Sequence, residues 1–167
     1  MLELVRSAEY GYTERQRLIS ALCEKYGFLK RKNIGRSCGG RDITAVKIGS
    51  AEEYSLIAAA FHGSERITST VLLMFVEELS RALSENGFLG SLNACRALNN
   101  KGVIFVPCVN PDGCDISLYG AKACGELSGA VNRLCMGDFK HWNANLRGVD
   151  INHNFNAGWQ ELRTKEI

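Results

Sequence analysis

Hydrophobic positions in this chain fall into two kinds of pattern. Short continuous apolar runs at 54–61 (YSLIAAAF) and 102–107 (GVIFVP) are typical of strands covered on both faces, and 148–152 (GVDIN) predicts a third inner strand. Between the first two runs, residues 66–86 carry an apolar row with a spacing of four, which predicts a helix packed on a sheet. The row consists of Ile67, Val71, Phe75, Leu79 and Leu83, with Leu72 and Val76 beside it. Strands that alternate with helices predict an α/β fold with a mixed, partly parallel sheet sandwiched by helices.

The first fifty residues predict a helix and a hairpin. Thr13 and Gln16 have the spacing of a capping box, which opens a helix that runs to about Tyr26. Two short strands follow at 28–34 and 42–48. The Gly/Ser-rich turn between them matches neither a P-loop nor a dinucleotide-binding fingerprint, so a plain hairpin is favoured over a phosphate site.

Later in the chain, NPDG at 110–113 predicts a turn, and the Gly- and Asn-rich region 114–150 predicts long loops around a short helix. No linker or internal repeat interrupts the sequence, so a single domain, 1–167, is expected.

Composition narrows the classes of partner. The formal net charge of +2 gives no electrostatic footprint for nucleic acid or an anionic membrane. No apolar run reaches the roughly 18 residues of a membrane span, and the N-terminus lacks the pattern of a secretory signal. The odd number of cysteines, none in a C-x-x-C pair, favours reduced thiols and a cytoplasmic location; they are Cys23, Cys38, Cys95, Cys108, Cys114, Cys124 and Cys135.

His62 and Glu65 stand where the apolar run 54–61 gives way to the predicted helix. Imidazole nitrogen and carboxylate oxygen are good zinc ligands, and a three-residue spacing across a tight turn lets both converge on one point. Glutamate is also favoured in any first helical turn, and a histidine at a strand end is commonly just hydrogen-bonded. From these residues alone, the metal site and the ordinary polar corner both stay open.

Four ordered motifs resemble those of zinc metallocarboxypeptidases of the carboxypeptidase A type. They are IGRSCGGRDITAVKIG (34–49), similar to the opening hairpin of that family with its S-x-x-G-R element, AAFHGSE (59–65), VPCVNPDG (106–113) and RGVDINHNFNAGW (147–159). The sequence of the last stretch is most similar to that of bacterial members, some of which act on cell-wall peptides with γ-D-glutamyl and diaminopimelate residues. The resemblance implies that the chain corresponds to the N-terminal part of a carboxypeptidase-like catalytic domain.

The same resemblance implies roles for four residues. His62 and Glu65 would be two zinc ligands, and Asn152 with His153 would contact the terminal carboxylate of a peptide or muropeptide substrate. The family has arginine at the position of His153; a histidine lacks its bidentate fork and is expected to bind carboxylate more weakly, or to be a surface residue without that role. The third zinc ligand and the catalytic glutamate of the family would follow Ile167, so zinc is the expected cofactor but its site is expected to be incomplete in this chain.

Other polar residues have weaker assignments. The family's oxyanion-stabilising arginine follows a tryptophan, but Asn143 follows Trp142 here, and neither Arg133 nor Arg147 matches the motif, so no catalytic residue is assigned. Asp150 is interpreted either as the carboxylate behind a ligand histidine or as a turn residue. In addition, Asn110 and Asp112 are expected to build a turn at the rim of the site, and Tyr119 and Trp159 to pack.

Three functions remain open at this point: a zinc-dependent peptide hydrolase, an inactive peptide- or cell-wall-binding module of the same fold, and a generic α/β ligand-binding domain. An uncovered sheet edge and apolar face are also expected, and these would promote self-association.

Overall fold

The computed structural model describes residues 4–6, 9–155 and 157–165. The ends of the expected domain 1–167, and Asn156 within the 147–159 stretch, lie outside these ranges. The helices are α1 (Tyr12–Lys25), α2 (Arg66–Ser84), α3 (Ala94–Ala97), α4 (Pro111–Tyr119), α5 (Ser128–Cys135) and α6 (Trp159–Lys165). The strands are β1 (Lys30–Arg36), β2 (Asp42–Gly49), β3 (Tyr54–Ala58), β4 (Phe88–Leu89), β5 (Leu92–Asn93) and β6 (Gly102–Val106).

A four-stranded sheet forms the centre of the fold, with the order β1-β2-β6-β3. The hairpin of β1 and β2 is antiparallel, β2 and β6 are also antiparallel, and β6 runs parallel to β3. The predicted mixed, partly parallel α/β sheet is therefore confirmed. The hairpin and the helices over 13–26 and 66–86 also lie within a few residues of their predicted positions.

Helix α2 packs on the sheet with a different face from the one its sequence predicts. Leu72, Val76 and Leu79 of the predicted apolar row are buried, but Ile67 is 59%, Val71 58% and Phe75 42% exposed. The buried surface instead includes small and polar positions of α2, namely Ser69, Thr70, Glu77, Ser80 and Ala82. Glu77 is accommodated because its carboxylate accepts hydrogen bonds from the backbone N–H groups of Leu4 and Val5.

Two of the predicted strands differ in the structure. The run 54–61 forms a strand only as far as Ala58, because Ala60 adopts a left-handed conformation (φ 54°) and the extended backbone cannot continue. This strand lies at an edge of the sheet, and its middle residues are exposed. The prediction of a strand at 148–152 is wrong. The Asp150 carboxylate accepts hydrogen bonds from the backbone N–H groups of Asn152 and His153, and these local bonds favour the 3-10 turn Asn152–Asn154.

Two predicted local signals also have a different role. NPDG at 110–113 opens α4 rather than a turn, because the Asn110 side chain accepts the N–H of Gly113 and Pro111 occupies the first turn. The capping box at Thr13 is not formed. Helix α1 begins at Tyr12, whose N–H is accepted by Asp115 of α4 at 2.8 Å, so a carboxylate distant in sequence takes the place of a local cap.

The main core lies between the sheet and helices α1 and α2, and it includes Ile19, Val46, Leu73 and Phe105. A second cluster joins α4 and α5 to the 139–146 segment around Ile116, Val131 and Trp142. In the part of the chain that the structure describes, no helix is both long enough and apolar enough to cross a membrane.

Candidate metal centre

The side chains of His62 and Glu65 meet just beyond the end of β3. His62 Nδ1 and Glu65 Oε1 are 3.1 Å apart, brought together by the short 3-10 turn Gly63–Glu65 that leads into α2. Two ligands bound to one tetrahedral zinc ion at 2.0–2.2 Å lie about 3.4 Å from each other. The spacing of this pair therefore suits two positions in a zinc coordination shell.

A second carboxylate lies at the other nitrogen of the His62 ring. Nε2 of His62 is 3.3 Å from Oδ1 of Asp150. This nitrogen is buried and makes no well-aligned hydrogen bond to a described residue. A carboxylate behind a histidine is the arrangement that orients metal-binding imidazoles. The pKa of His62 is raised, first by its hydrogen bond with Glu65 and further by the charges of Glu65 and Asp150, so the pocket is electrostatically suited to a cation.

Asn110 fixes the backbone on which His62 stands. Its side-chain amide donates hydrogen bonds to the carbonyl oxygens of Phe61 at 3.0 Å and Ala144 at 3.1 Å, and its Oδ1 caps α4. The residue is 2% exposed. Asn110 is thus a buried brace between three segments, which corrects its expected role as a rim turn residue.

Gly63 is needed because backbone atoms surround it. A Cβ at this position would collide with the carbonyl oxygens of Gly113 and Trp142. The Gly63 N–H donates to the carbonyl of Asn143 at 3.1 Å, and its carbonyl accepts the Ser117 hydroxyl at 2.6 Å. Close packing of the backbone, rather than a special turn conformation, therefore requires glycine here.

The 142–144 segment is a part of the site that sequence reasoning missed. The backbone carbonyl of Asn143 accepts the Gly63 N–H, and its side-chain oxygen accepts a hydrogen bond from the Ser64 hydroxyl. In the sequence, Asn143 differs from the arginine that follows tryptophan in the family, and the family motif marks nothing else at the position. The available signal was the Trp-Asn-Ala-Asn run, whose amides suit a loop that binds backbone groups.

Asp112 anchors the β1–β2 hairpin to α4. This fully buried carboxylate accepts hydrogen bonds from Ser37 Oγ at 2.9 Å, from the Gly39 N–H at 2.7 Å and from Arg41 at 2.6 Å. The S-x-x-G-R element of the hairpin therefore serves as the binding partner of Asp112. Asp112 therefore acts inside the fold and not in a turn at the rim of the site, where the sequence places it.

Asn152 and His153 lie close to the His62 pair through Asp150, which accepts both of their N–H groups. Both are exposed, and both line an open cleft of about 470 Å³ together with Trp159 and Glu161. Phe155 also contacts Phe61 edge to face, with the ring centroids 6.0 Å apart. The structure therefore brings the predicted substrate-binding residues to the same side of the molecule as the predicted metal ligands.

The other residues singled out in the sequence make no contact with His62 or Glu65 among the described interactions. Arg133 and Arg147 are exposed, and no oxyanion-stabilising residue is assigned. Tyr119 is 52% exposed and packs its ring against Gly11, while Trp159 has the Arg163 guanidinium 5.5 Å from its ring.

The family model for zinc carboxypeptidases matches residues 16–167. The chain belongs to the zinc carboxypeptidase family. Solved zinc carboxypeptidase folds superpose on the structure: thrombin-activatable fibrinolysis inhibitor has a TM-score of 0.68 at 19% identity and covers 94% of this chain. A metallo-carboxypeptidase from Pseudomonas aeruginosa has a TM-score of 0.55, also at 19% identity, and covers 91% of it. The predicted resemblance and fold are thereby confirmed.

Two bacterial proteins are similar to most of this chain. The uncharacterized protein YqgT of Bacillus subtilis is 32% identical over 155 residues, which are 90% of this chain and 41% of YqgT. Gamma-D-glutamyl-L-diamino acid endopeptidase 1 of Lysinibacillus sphaericus is 30% identical over 156 residues, 90% of this chain and 39% of that protein. The chain thus spans about two fifths of the length of these relatives.

Zinc is the metal that the family implies. Within residues 4–6, 9–155 and 157–165, no group of three or more His, Cys, Asp or Glu side chains is arranged to hold a metal ion. Asp150 does not complete the pair, because it faces Nε2 while Glu65 faces Nδ1. A catalytic zinc has three protein ligands and a water, so the pair fits two of the four positions.

Proposed function

We propose that this chain forms part of a zinc-dependent peptide hydrolase in which His62 and Glu65 bind the metal ion. The observation that carries the proposal is the 3.1 Å approach of Nδ1 and Oε1. Zinc held there would supply a Lewis acid that polarises the scissile carbonyl and activates a water molecule. Membership of the zinc carboxypeptidase family supports this choice of metal.

Asp150 is proposed to act on the metal ligand rather than on the substrate. Its carboxylate lies at the Nε2 side of the imidazole, so that Nδ1, on the side of Glu65, is the nitrogen that would face the metal, and its charge raises the basicity of the ring. Through its bonds to the N–H groups of Asn152 and His153, the same carboxylate ties the substrate-binding turn to the metal site.

The substrate class that we propose is a peptide with a free carboxylate, bound by the Asn152 amide and the His153 ring. Their exposure and the adjoining cleft support this role. The name of the Lysinibacillus sphaericus relative suggests a cell-wall peptide with a bond between a γ-D-glutamyl residue and an L-diamino acid. A histidine that binds carboxylate without a bidentate fork predicts weaker substrate binding than an arginine would give.

A second candidate is a catalytically inactive module that binds peptides or cell-wall material through the same cleft. The finding that favours it is the two-donor metal pair: the described residues bring no third ligand to it. The isolated 167-residue chain is accordingly expected to bind zinc weakly and to hydrolyse no peptide.

The two candidates are separated by a chimera in which residues 1–167 replace the matching region of the gamma-D-glutamyl-L-diamino acid endopeptidase 1 of Lysinibacillus sphaericus, whose name states this type of cleavage. Zinc content and cleavage of a γ-D-glutamyl-diaminopimelate peptide are measured by metal analysis and chromatography. We expect cleavage that is lost in His62→Ala and kept in His141→Ala. His141 is a matched control because it is exposed and also pairs with a carboxylate three residues away, Asp138.

Each outcome of the chimera assay has a definite meaning. A folded chimera that binds the peptide and zinc but releases no product supports the inactive module. Zinc retained at full stoichiometry in both His62→Ala and Glu65→Gln would show that the metal is bound elsewhere and would refute the ligand assignment.

A further inference from the structure

Two buried cysteines meet beside the corner that carries His62. The sulfur atoms of Cys108 and Cys114 are 3.7 Å apart, and the two residues are 6% and 1% exposed. Together with Ala60 they form a small buried cluster of their own. Both are free thiols. Two thiols held in contact inside a protein are placed to react with each other once one of them is oxidised.

The segment between the two cysteines contains residues that hold the corner in place. The Asn110 N–H donates to the Ala60 carbonyl at 3.0 Å. The Gly113 carbonyl oxygen lies against Gly63, in the space that a Cβ at Gly63 would need. A movement of either cysteine is therefore passed to the backbone that bears His62.

The two thiols differ in acidity. Burial acts to raise the pKa of Cys108, but the hydrogen bond with Cys114 and the positive charge of Arg15 lower this pKa overall. The same hydrogen bond raises the pKa of Cys114, and burial adds to that effect. Because the thiolate is the form that attacks an oxidant, Cys108 is the nucleophile and Cys114 is the thiol that attacks in the second step.

We propose that Cys108 and Cys114 form a dithiol site that a hydroperoxide converts into a disulfide, and that this bond loosens the contacts of the His62 corner. In the first step, the Cys108 thiolate attacks a peroxide oxygen and the O–O bond breaks, which gives a sulfenic acid and releases water or an alcohol. In the second step, the Cys114 sulfur loses its proton and attacks the Cys108 sulfur, and the S–O bond breaks to release water. Two electrons thus pass from the two sulfurs to the peroxide. An added dithiol reverses the reaction by thiol–disulfide exchange.

The disulfide needs a shorter distance than the thiols have. An S–S bond is about 2.05 Å long, so the sulfur atoms must approach each other by about 1.6 Å. Cys114 belongs to α4, where its N–H donates to the Asn110 carbonyl at 3.1 Å, and Cys108 lies in the loop between β6 and α4. Either the loop or the first turn of α4 must move. The contacts that Asn110 and Gly113 make with the corner lie between these two elements, so we expect them to loosen.

A purely structural role for the pair makes a different prediction. Buried cysteine also serves as a small apolar side chain that fills space. Thiols with that role alone would stay unreacted under native conditions or gain oxygen atoms separately. The mass of the oxidised chain therefore distinguishes the two roles.

The test uses the full 167-residue chain with the exposed Cys38 and Cys95 replaced by serine, so that these thiols cannot link two molecules. The folded chain is treated with hydrogen peroxide, then unfolded in urea with N-ethylmaleimide, and its mass is measured. We expect a loss of two hydrogens, which dithiothreitol should reverse. Cleavage on the N-terminal side of Asp112 separates the two cysteines, so a linked pair of peptides identifies the bond.

Two alanine variants locate the reaction. Cys114→Ala should abolish the loss of two hydrogens and leave Cys108 with added oxygen atoms, because the sulfenic acid has no second thiol to react with. Cys124→Ala is the matched control, since Cys124 is also buried, at 3% exposed, but lies in a different cluster, and it should still lose two hydrogens. Circular dichroism checks that both variants are folded. The peptide map of the chain with both thiols does not depend on either variant.

Hydrogen–deuterium exchange measures the effect on the corner. The N–H groups of Gly63 and Asn110 bond to other segments of the corner, and both should shift to faster exchange in the oxidised chain. Those of α1 should exchange at the same rate in both states. Any consequence for metal binding rests on the proposed function, but neither measurement needs zinc. Failure of the ligand assignment would therefore leave this test intact.

Three results would overturn the proposal. The first is peroxide treatment that adds oxygen atoms to Cys108, or leaves it unreacted, without linked peptides. The second is a bond that forms only after unfolding in urea. The third is a native disulfide with unchanged exchange at Gly63 and Asn110, which would separate the thiols from the corner.

Discussion

The side-chain amide of Asn110 donates a hydrogen bond of 3.0 Å to the carbonyl oxygen of Phe61, the residue that precedes the proposed metal ligand His62. The bond joins the start of α4 to the corner after β3. Consequently, the position of His62 depends on a residue that the sequence places in a different motif.

Replacing Asn110 should destabilise the fold. Asn110→Ala removes the cap of α4 and leaves the buried carbonyls of Phe61 and Ala144 without their donor. We expect the free energy of unfolding to fall by about 2–3 kcal/mol, measured by urea denaturation. Asn132→Ala, at an exposed position of α5, should change it by less than about 0.5 kcal/mol. Equal denaturation midpoints for the two variants would contradict the bracing role.

The buried carboxylate of Asp112 should contribute far more to stability than the half-buried carboxylate of Asp42 in the same hairpin region. Asp112→Asn removes the negative charge that Arg41, Ser37 and Gly39 bind, which should cost about 2–3 kcal/mol of stability. Asp42→Asn breaks only the pair with Arg36, whose side chain is 73% exposed, and should cost under about 1 kcal/mol. Chemical denaturation of both variants tests the ranking, and a reversed order would argue against the anchor.

Gly63→Ala tests the close packing beneath the metal pair. The added methyl group meets the carbonyls of Gly113 and Trp142, so the corner must shift, and a loss of about 1–3 kcal/mol is expected in thermal unfolding. Gly27→Ala serves as the control, because a Cβ at Gly27 has no atom within 4 Å. An unfolding temperature of Gly63→Ala equal to that of the wild type would contradict this close packing.

Asp150→Asn tests the carboxylate behind His62. In the chimera with the Lysinibacillus sphaericus endopeptidase, loss of its charge should weaken zinc binding by about 10–100-fold while the fold is retained, because the imidazole loses the group that orients it. Zinc affinity is measured by competition with a chelator. The substitution Asp138→Asn, at an exposed carboxylate paired with His141, should have no effect. Unchanged affinity in Asp150→Asn would leave Asp150 with only its role in the 152–154 turn.

The seven cysteines should react as free thiols at three different rates. With a thiol reagent such as DTNB under native conditions, the exposed Cys38 and Cys95 should react first and the intermediate Cys23 and Cys135 more slowly. The buried Cys108, Cys114 and Cys124 should react only on unfolding. The sulfur atoms of Cys108 and Cys114 are 3.7 Å apart, which is longer than a disulfide bond of about 2.05 Å, so the two thiols are close but not bonded. A mass two hydrogens short of the fully reduced chain would contradict this state.

Local patterns in the sequence account for the parts of the fold that were predicted well. The hairpin of β1 and β2, helix α2 and strand β6 each depend on residues a few positions apart, whose spacing decides between helix and strand. The pairing of His62 with Glu65 is predictable for the same reason, since three residues at one corner determine it. The positions of Asn110 and Asn143 were not predictable, because both residues reach the site from other segments. For Asp150 the sequence left open a role behind the histidine and a role in a turn, and the structure gives it both contacts.

The two errors in the predicted strands have separate causes. The apolar run at 54–61 predicts a strand but not its place in the sheet, and β3 lies at the edge with Leu56 and Ile57 exposed. At 148–152 the pattern fits a strand, yet the hydrogen bonds that Asp150 accepts favour a turn.

The sequence by itself determined the hairpin of β1 and β2, helices α1 and α2 and strand β6, the mixed α/β class, and the corner that presents an imidazole and a carboxylate together. These follow from local spacing and backbone preference. Only the tertiary structure decided which face of α2 is buried, that β3 has an open edge, and that Asp150 stands behind His62. Those features depend on which distant segments compete for the same surface, and neither residue spacing nor composition encodes the outcome of that competition.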